Sequence, residues 1–257
     1  MIVARTIVAV VIRDGRLRRA VDEAALHRLQ GRRIERVRRR GKYLLVDIED
    51  QLCLLLHLGM SGRLTVAPQT VPSKPHDHLV WGLDDGREIR FNDARRFGLV
   101  EVFARQMEAT HPCLVDLGPE PLGDDFTDAY LFARTRGSKR AIKPLLMDAA
   151  LVVGVGNIYA CEALYAAGIH PMRQAKSLSR RSLVALVQAL QDTLRAAIAQ
   201  GGTTLRDFVT ADGRAGYFAV RLRVYGREGE ACDSCGGTVE RLTQSGRSTF
   251  FCRGCQR

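Results

Sequence analysis

Four cysteines close to the end of the chain have the spacing of a metal site. In "CDSCGGTVERLTQSGRSTFFCRGC", Cys232, Cys235, Cys252 and Cys255 form two C-x-x-C knuckles separated by sixteen residues. Four soft thiolates at this spacing close a tetrahedron around one Zn²⁺ and leave no position open for catalysis, so the ion is structural. A redox use of C-x-x-C is the competing chemistry, but two such pairs at this distance favour zinc. Between the knuckles, "TVERLT" and "STFF" alternate like hairpin strands, and "QSGR" forms the tip that carries Arg247. A guanidinium pushed outward there suits phosphate, while a merely solvated loop arginine is the other reading.

A second candidate site lies upstream, in "AIKPLLMDAALVVGVGNIYACEALYAAGIHP" (141–171), which reads as two helices around a glycine-containing break. Gly154 and Gly156 let the backbone come close to a ligand, and the N–H groups opening the helix at Asn157 make an anion site. Asn157 is suited both to cap that helix and to donate its amide to a phosphate oxygen; an ordinary capping asparagine in a helical hairpin is the alternative. Lys139, Arg140 and Lys143 just before it shift the balance toward duplex DNA or RNA. The whole composition agrees. Thirty-nine Lys plus Arg against 28 Asp plus Glu give a net charge of +11, with Arg concentrated in "RRIERVRRRGK" at 32–42. An excess of that size points to a polyanion, although an Arg-rich proteome also yields basic surfaces.

These groups need a scaffold, and 257 residues can bury two modest cores. No apolar run approaches the roughly 18–20 residues that span a bilayer, so a soluble protein without a membrane partner is expected. Of seven cysteines, the three outside the knuckles, Cys53, Cys113 and Cys161, read as buried free thiols of a reducing cytosol. Residues 2–12 read as a strand and 22–32 as a short helix ended by Gly31. Strand-like stretches follow at 33–48, 52–57, 63–67, 78–84, 88–92 and 97–103, a density that implies a sandwich or barrel. After the Pro/Gly-rich "LGPEPLGDD" (117–125) the pattern turns helical: 126–136, a helix from Ala141 with Pro144 in its first turn, and one from Asn157 to about Ala167. Ser179 then caps a long helix with Leu183, Val187, Leu190, Leu194 and Ile198 on one face, and Thr203 caps a shorter one.

"RGKYLLV", "HLGMSGRL", "HDHL", "NDARRFG", "LGPEPLGDDF", "KPLLMD", "VVGVGNIYACEALYAAGIHP", "GGTTLRDFVTADGRAGYFA", "VYGREGEAC" and the cysteine-rich tail follow one another as in a known family. The chain resembles, over essentially its whole length, the bacterial formamidopyrimidine-DNA glycosylases, relatives of the endonuclease VIII-type enzymes. The resemblance implies an α+β multidomain protein: a β-sandwich over 1–116, a helix–two-turn–helix domain over 117–224 and a four-cysteine zinc ribbon over 225–257. It implies excision of oxidised purines, 8-oxoguanine and formamidopyrimidines, from double-stranded DNA, followed by nicking at the abasic site. A cytoplasmic, nucleoid-associated monomer is the implied working form.

The family's roles fall on particular positions. Lys42 in "RGKYLL" resembles the lysine set beside the deoxyribose and its phosphate. Met60, Arg95 and Phe97 resemble the triad that enters the duplex, where apolar wedges replace a stacked base and the arginine bonds the orphaned partner. On pattern alone, without the other motifs, "HLGMSG" reads as a hairpin turn with a core methionine. His76, Asn157 and Arg247 resemble the phosphate holders, Arg247 with a further part in the elimination step, and Lys139 matches another DNA contact loosely. "TADGRAGYFA", with Arg214, Gly216 and Tyr217, resembles the loop that closes over a flipped purine; otherwise it is a long surface loop. An RNA-binding zinc-ribbon protein fits the charge and the zinc but leaves the two wedges without a task.

The family's nucleophile is an N-terminal proline amine followed by a glutamate acid, on a segment resembling Pro-Glu-Leu-Pro-Glu-Val. A terminal amine serves because its pKa of about 7.7–8 leaves part of it unprotonated at neutral pH. "MIVARTIVAV" aligns instead with the family's first full strand. The expectation is therefore either a natural start further upstream or a catalytically impaired protein that binds damaged DNA, with Lys42 as a weak substitute amine.

Overall fold

The computed structural model describes residues 2–200 and 222–257, and they fall into two compact units divided between Val115 and Asp116. The first unit is a pair of four-stranded antiparallel sheets. One has the order β1-β6-β7-β5, from β1 (Ile7–Ile12), β6 (Asp77–Leu83), β7 (Arg87–Asn92) and β5 (Arg63–Pro68). The other has the order β2-β3-β4-β8, from β2 (Ile34–Arg40), β3 (Tyr43–Ile48), β4 (Leu52–His57) and β8 (Leu99–Ala104). Their shared core takes Ile7 from β1, Ile48 from β3, Leu54 and Leu56 from β4, and Trp81 and Phe91 from β6 and β7, so the inner residues of both sheets interdigitate. Helix α1 (Glu23–His27) closes one end, with the Asp22 side chain accepting from Ala25 N and Leu26 buried in the same core.

Two boundaries differ from the pattern reading. The first strand begins at Ile7 rather than at the second residue, because Ala4 takes a left-handed φ of 69° and its N–H bonds Ile34 O, bending the chain before the sheet. The strand-like run 33–48 is two strands joined at Gly41 and Lys42, which the β-branched and basic residues on both sides conceal. Of the three lone thiols, Cys53 and Cys161 are buried but Cys113 is only half-buried.

The second unit holds α2 (Asp128–Thr135), α3 (Ile142–Leu146), α4 (Asn157–Ala166) and α5 (Arg180–Ala199), around a core including Leu131, Leu146, Leu164, Leu183 and Leu190. Thr127 and Ser179 cap α2 and α5 as their types demand, accepting from Tyr130 N and Ser182 N. Helix α3 is one turn and a half, shorter than its sequence suggests: Asp148 accepts the N–H of Ala150 and the guanidinium of Arg140, drawing the chain into a turn. The buried face of α5 is Leu183, Leu186, Val187, Leu190, Leu194 and Ala197, whereas Ile198 is 66% exposed, since the helix has rotated past the core at its last turn. The short helix expected after Thr203 lies outside the described residues.

The ribbon belongs to this second unit. Strands β9 (Val239–Gln244) and β10 (Arg247–Cys252) pair antiparallel through the two-residue turn Ser245-Gly246, both at positive φ, as a tight right-twisted hairpin needs. Val224, Val239, Phe250 and Cys252 pack on Cys161 and Tyr165 of α4. Glu162 of α4 is buried and its carboxylate accepts three successive backbone N–H groups, from Arg223, Val224 and Tyr225. That is the hydrogen bonding a buried carboxylate requires, and it fastens the chain entering the ribbon.

Candidate nucleic-acid interface

In the sandwich unit, Met60 stands at the turn after β4, between Gly59 and Ser61, and is 60% exposed. The core-methionine reading of this turn is therefore set aside. Phe97, in the loop between β7 and β8, is 45% exposed. The two loops abut: a Cβ on Gly59 would lie 2.6 Å from the carbonyl carbon of Phe97, so only glycine permits this approach. Arg95 is exposed with its guanidinium 4.9 Å from the Phe97 ring centroid. Its neighbour Arg96 is committed elsewhere, to the Asp14 carboxylate at 2.5 Å and Arg16 O at 3.0 Å, and with Arg16 it holds Asp14 well below the usual carboxylate range. Sequence reasoning cannot separate two adjacent arginines; their partners do.

His76 is exposed at φ 70° in the loop before β6, a conformation uncommon for a side chain with a Cβ. The loop is built to hold it. Asn92 Nδ2 donates to Pro75 O at 2.8 Å and to Asp77 Oδ1 at 2.9 Å, while Arg90 reaches Pro72 O at 3.0 Å and Val71 O. Lys42 is exposed at the turn between β2 and β3. The next residue, Tyr43, lies with its ring 5.0 Å from that of His57, whose Nδ1 accepts the Gly59 N–H at 2.9 Å. Burial, then the charges of Lys42 and Arg18, hold the His57 pKa below its ordinary value, which keeps Nδ1 free to accept. Met60, Arg95 and Phe97 thus stand together on two abutting loops, and the ring of Tyr43, next to Lys42, reaches the same turn through His57.

In the second unit, Arg247 is exposed at the hairpin tip. Asn157 opens α4, but Gly156 is the capping residue and the asparagine makes no capping bond, contrary to the sequence expectation. Its amide donates to Ser248 O at 2.8 Å, and its buried Oδ1 has no partner among the described residues. Lys143 is the residue that sequence reasoning underrated. It is 1% exposed, and its ammonium donates to Thr249 Oγ1 at 2.7 Å and Ser248 O at 3.4 Å, with its pKa lowered by burial and by Arg247. A lysine in a short basic stretch reads as solvated; its bonds to Ser248 and Thr249 of β10 form only in the folded chain. Two side chains from two helices therefore fix the strand beside Arg247. Arg140, Lys143 and Arg247 line a cavity of about 250 Å³, which does not include the exposed Lys139. Arg214, Gly216 and Tyr217 lie outside the described residues.

The four ribbon cysteines bring their sulfurs within 4.8 Å of one another, with Cys232 to Cys255 at 3.8 Å and Cys235 to Cys252 at 3.4 Å. Sulfurs about 2.3 Å from a tetrahedral Zn²⁺ stand about that far apart, so the set fits one structural zinc ion. Tyr165 OH lies 3.2 Å from Cys232 Sγ and donates to Ser234 Oγ at 2.7 Å, an outer layer that fixes one ligand. A second group, Glu101, His111 and Cys113, also clusters. There the acceptors are already satisfied: Glu101 takes Arg19 at 2.8 Å and His111 at 3.2 Å, and His111 Nδ1 takes the Cys113 N–H.

Comparisons with known proteins give the chain's family. Residues 1–100 match the formamidopyrimidine-DNA glycosylase N-terminal domain, residues 117–209 the formamidopyrimidine-DNA glycosylase H2TH domain, and residues 229–257 a zinc finger found in FPG and IleRS. The chain is 50% identical over its whole length to the formamidopyrimidine-DNA glycosylase of Syntrophotalea carbinolica, covering 94% of that protein. It is 46% identical over 256 residues to that of Escherichia coli, again covering 94%. Among solved structures, it superposes on Lactococcus lactis Fpg bound to DNA containing an abasic site with a TM-score of 0.91 and 32% identity. On the same enzyme with Fapy-dG-containing DNA the TM-score is 0.89 at 32% identity; both cover all of this chain and 94% of the other.

Proposed function

The chain belongs to the formamidopyrimidine-DNA glycosylase family, and from that premise we infer that it excises oxidised purines from duplex DNA in base-excision repair and nicks the abasic strand. The observation that carries this reading is the pair of solvent-exposed apolar side chains, Met60 and Phe97, on abutting rigid loops beside an exposed arginine. A soluble domain that presents such a wedge amid basic surface has a use for it in a base stack.

The physics runs as follows. A glycosidic bond cannot be attacked while its base is stacked, so the nucleotide must leave the duplex, at a cost of a few kcal/mol. Met60 and Phe97 fill the gap, and Arg95 hydrogen-bonds the base left without a partner. His76 and Lys42 hold the strand on the sandwich side, Lys42 beside the sugar. Arg247, with Lys139 at longer reach, holds phosphates on the other unit, where Asn157 and Lys143 keep the hairpin tip in place. The zinc ion fixes the ribbon that carries Arg247 and supplies no chemistry to the bond being broken. Arg214, Gly216 and Tyr217 are proposed to cover the flipped purine. Arg247 serves a second time, stabilising charge on the departing phosphate during elimination. The enzyme works as a monomer on the chromosome in the cytoplasm.

A protein that only binds damage is the other reading, and the near-50% identity to named glycosylases across the whole chain disfavours it. The test is single-turnover release of free 8-oxoguanine from a labelled duplex. Release that is lost in Met60→Ala/Phe97→Ala supports excision. Tight binding to the same duplex with no base released would show a binding protein instead.

A further inference from the structure

The turn that carries Met60 and the loop that carries Phe97 meet at one side chain, that of Asp93, which has no part in the reading given so far. It is 0% exposed. Its Oδ1 accepts from Ser61 Oγ at 2.8 Å, in the turn that carries Met60. Its Oδ2 accepts from the backbone N–H of Gly98 at 2.7 Å, next to Phe97. Its own N–H donates to His76 O at 3.1 Å, and its carbonyl accepts from Arg96 N at 3.2 Å. That carbonyl also takes His78 Nε2 at 2.9 Å, and because a carbonyl can only accept, the histidine carries its proton there.

We infer that Asp93 is a positioning residue whose carboxylate sets the spacing of Met60 and Phe97, and so the geometry in which the wedge enters the duplex. The inference rests on the wedge reading of Met60 and Phe97 proposed above.

Three arguments support it. A buried carboxylate is expensive unless its lone pairs are filled, and this one is filled by donors from two loops whose exposed tips are the apolar side chains. The β4–β8 ladder ends at His57 and Leu99, so beyond that pair the Asp93 carboxylate ties the two loops together through Ser61 Oγ and the Gly98 N–H. Finally, the two arms can be released together or singly. Asp93→Ala removes the acceptor of both Ser61 Oγ and the Gly98 N–H. Ser61→Ala releases only the Met60 arm. A displacement of 1 Å in a positioned group is enough to cost about 10²-fold in rate.

The experiment places 2-aminopurine beside a stable abasic-site analogue in a duplex and follows, by stopped flow, the fluorescence rise as the wedge unstacks it. Asp93→Ala is expected to slow the rise about tenfold or more and Ser61→Ala severalfold. Affinity for undamaged duplex, set by phosphate contacts, stays within about twofold. Met60→Ala and Phe97→Ala run alongside. If both slow the rise while Asp93→Ala and Ser61→Ala leave it unchanged, the positioning role is overturned and Asp93 only stabilises the sandwich. If Met60→Ala and Phe97→Ala also change nothing, the wedge reading falls and this inference with it. Should Asp93→Ala fail to fold, Ser61→Ala, which removes one surface-turn hydroxyl, decides the matter.

Discussion

Replacing Gly59 by alanine separates two effects that a glycine can hide. Gly59 has a φ of +65°, and an added Cβ would lie 2.6 Å from Phe97 C, 2.7 Å from Phe97 O and 2.8 Å from Gly98 N. Gly86, in the turn between β6 and β7, has nearly the same backbone (φ +78°) with nothing within 4 Å of an added Cβ. In both, the left-handed conformation costs alanine about 1 kcal/mol, and the loss of glycine's unfolded-state freedom returns about 0.5–1 kcal/mol. Gly86→Ala should therefore be close to neutral. Gly59→Ala carries in addition a clash with backbone atoms that cannot rotate away, and overpacking of that kind costs about 1–3 kcal/mol. The expected difference is about 2 kcal/mol. Trp81 is the chain's single tryptophan and is 1% exposed in the sandwich core, so its fluorescence reports unfolding of this unit. With a urea slope of about 2 kcal/mol/M, Gly59→Ala should unfold about 1 M earlier than Gly86→Ala. Its affinity for an abasic duplex should fall as well, since relief of the clash parts Met60 from Phe97. Equal midpoints for the two variants would refute the claim that these loops are in fixed contact.

Other consequences follow from the same packing. Lys143→Met removes the donor to Thr249 and Ser248; it should weaken abasic-duplex binding about tenfold without changing zinc content, read by anisotropy and metal analysis. Because burial lowers the Lys143 pKa, the unfolded chain binds the extra proton first, so stability of the second unit should rise with pH toward the ordinary lysine value near 10.4. That rise should vanish in Lys143→Met when urea midpoints are compared across pH. His57, its pKa held below about 6.5, should titrate by NMR at a midpoint under that value. Its protonation removes the acceptor for Gly59 N–H, so stability is lost as pH falls through the folded-state midpoint; a midpoint at or above 6.5 contradicts the hydrogen bond. Cys235→Ser should lose the zinc ion and the binding that depends on Arg247, while the Trp81 urea transition stays unchanged.

The zinc site was legible because its information is local: ligand type and spacing specify a tetrahedron, and Ser245-Gly246 specifies the turn between. The division into a sandwich and a helical unit was legible from period and from the Pro/Gly-rich stretch at 117–125. Met60 and Phe97 are a different case. Pattern alone favoured a core methionine, and only matching motifs suggested a wedge; exposure sets the core reading aside. Asp93 and Lys143 escaped because their partners lie 32 and 106 residues away in the chain, and no window of sequence contains both ends. Asn157 escaped in part for the same reason: its type fits a cap, but Ser248, 91 residues on, takes its amide. Ile198 fits the apolar stripe of α5 by period, yet in the last turn Ala197 takes the buried position and Ile198 is exposed.

The most direct test of the account is the ratio of affinities for a duplex with a stable abasic-site analogue and the same duplex undamaged, at one stated salt concentration. Specific over non-specific binding by a factor on the order of 10³ is predicted, falling toward unity in Met60→Ala/Phe97→Ala. Arg247→Ala should instead weaken both affinities and lower the salt slope by about one. Equal affinity of the unaltered protein for the two duplexes would contradict the claim that this surface reads damage.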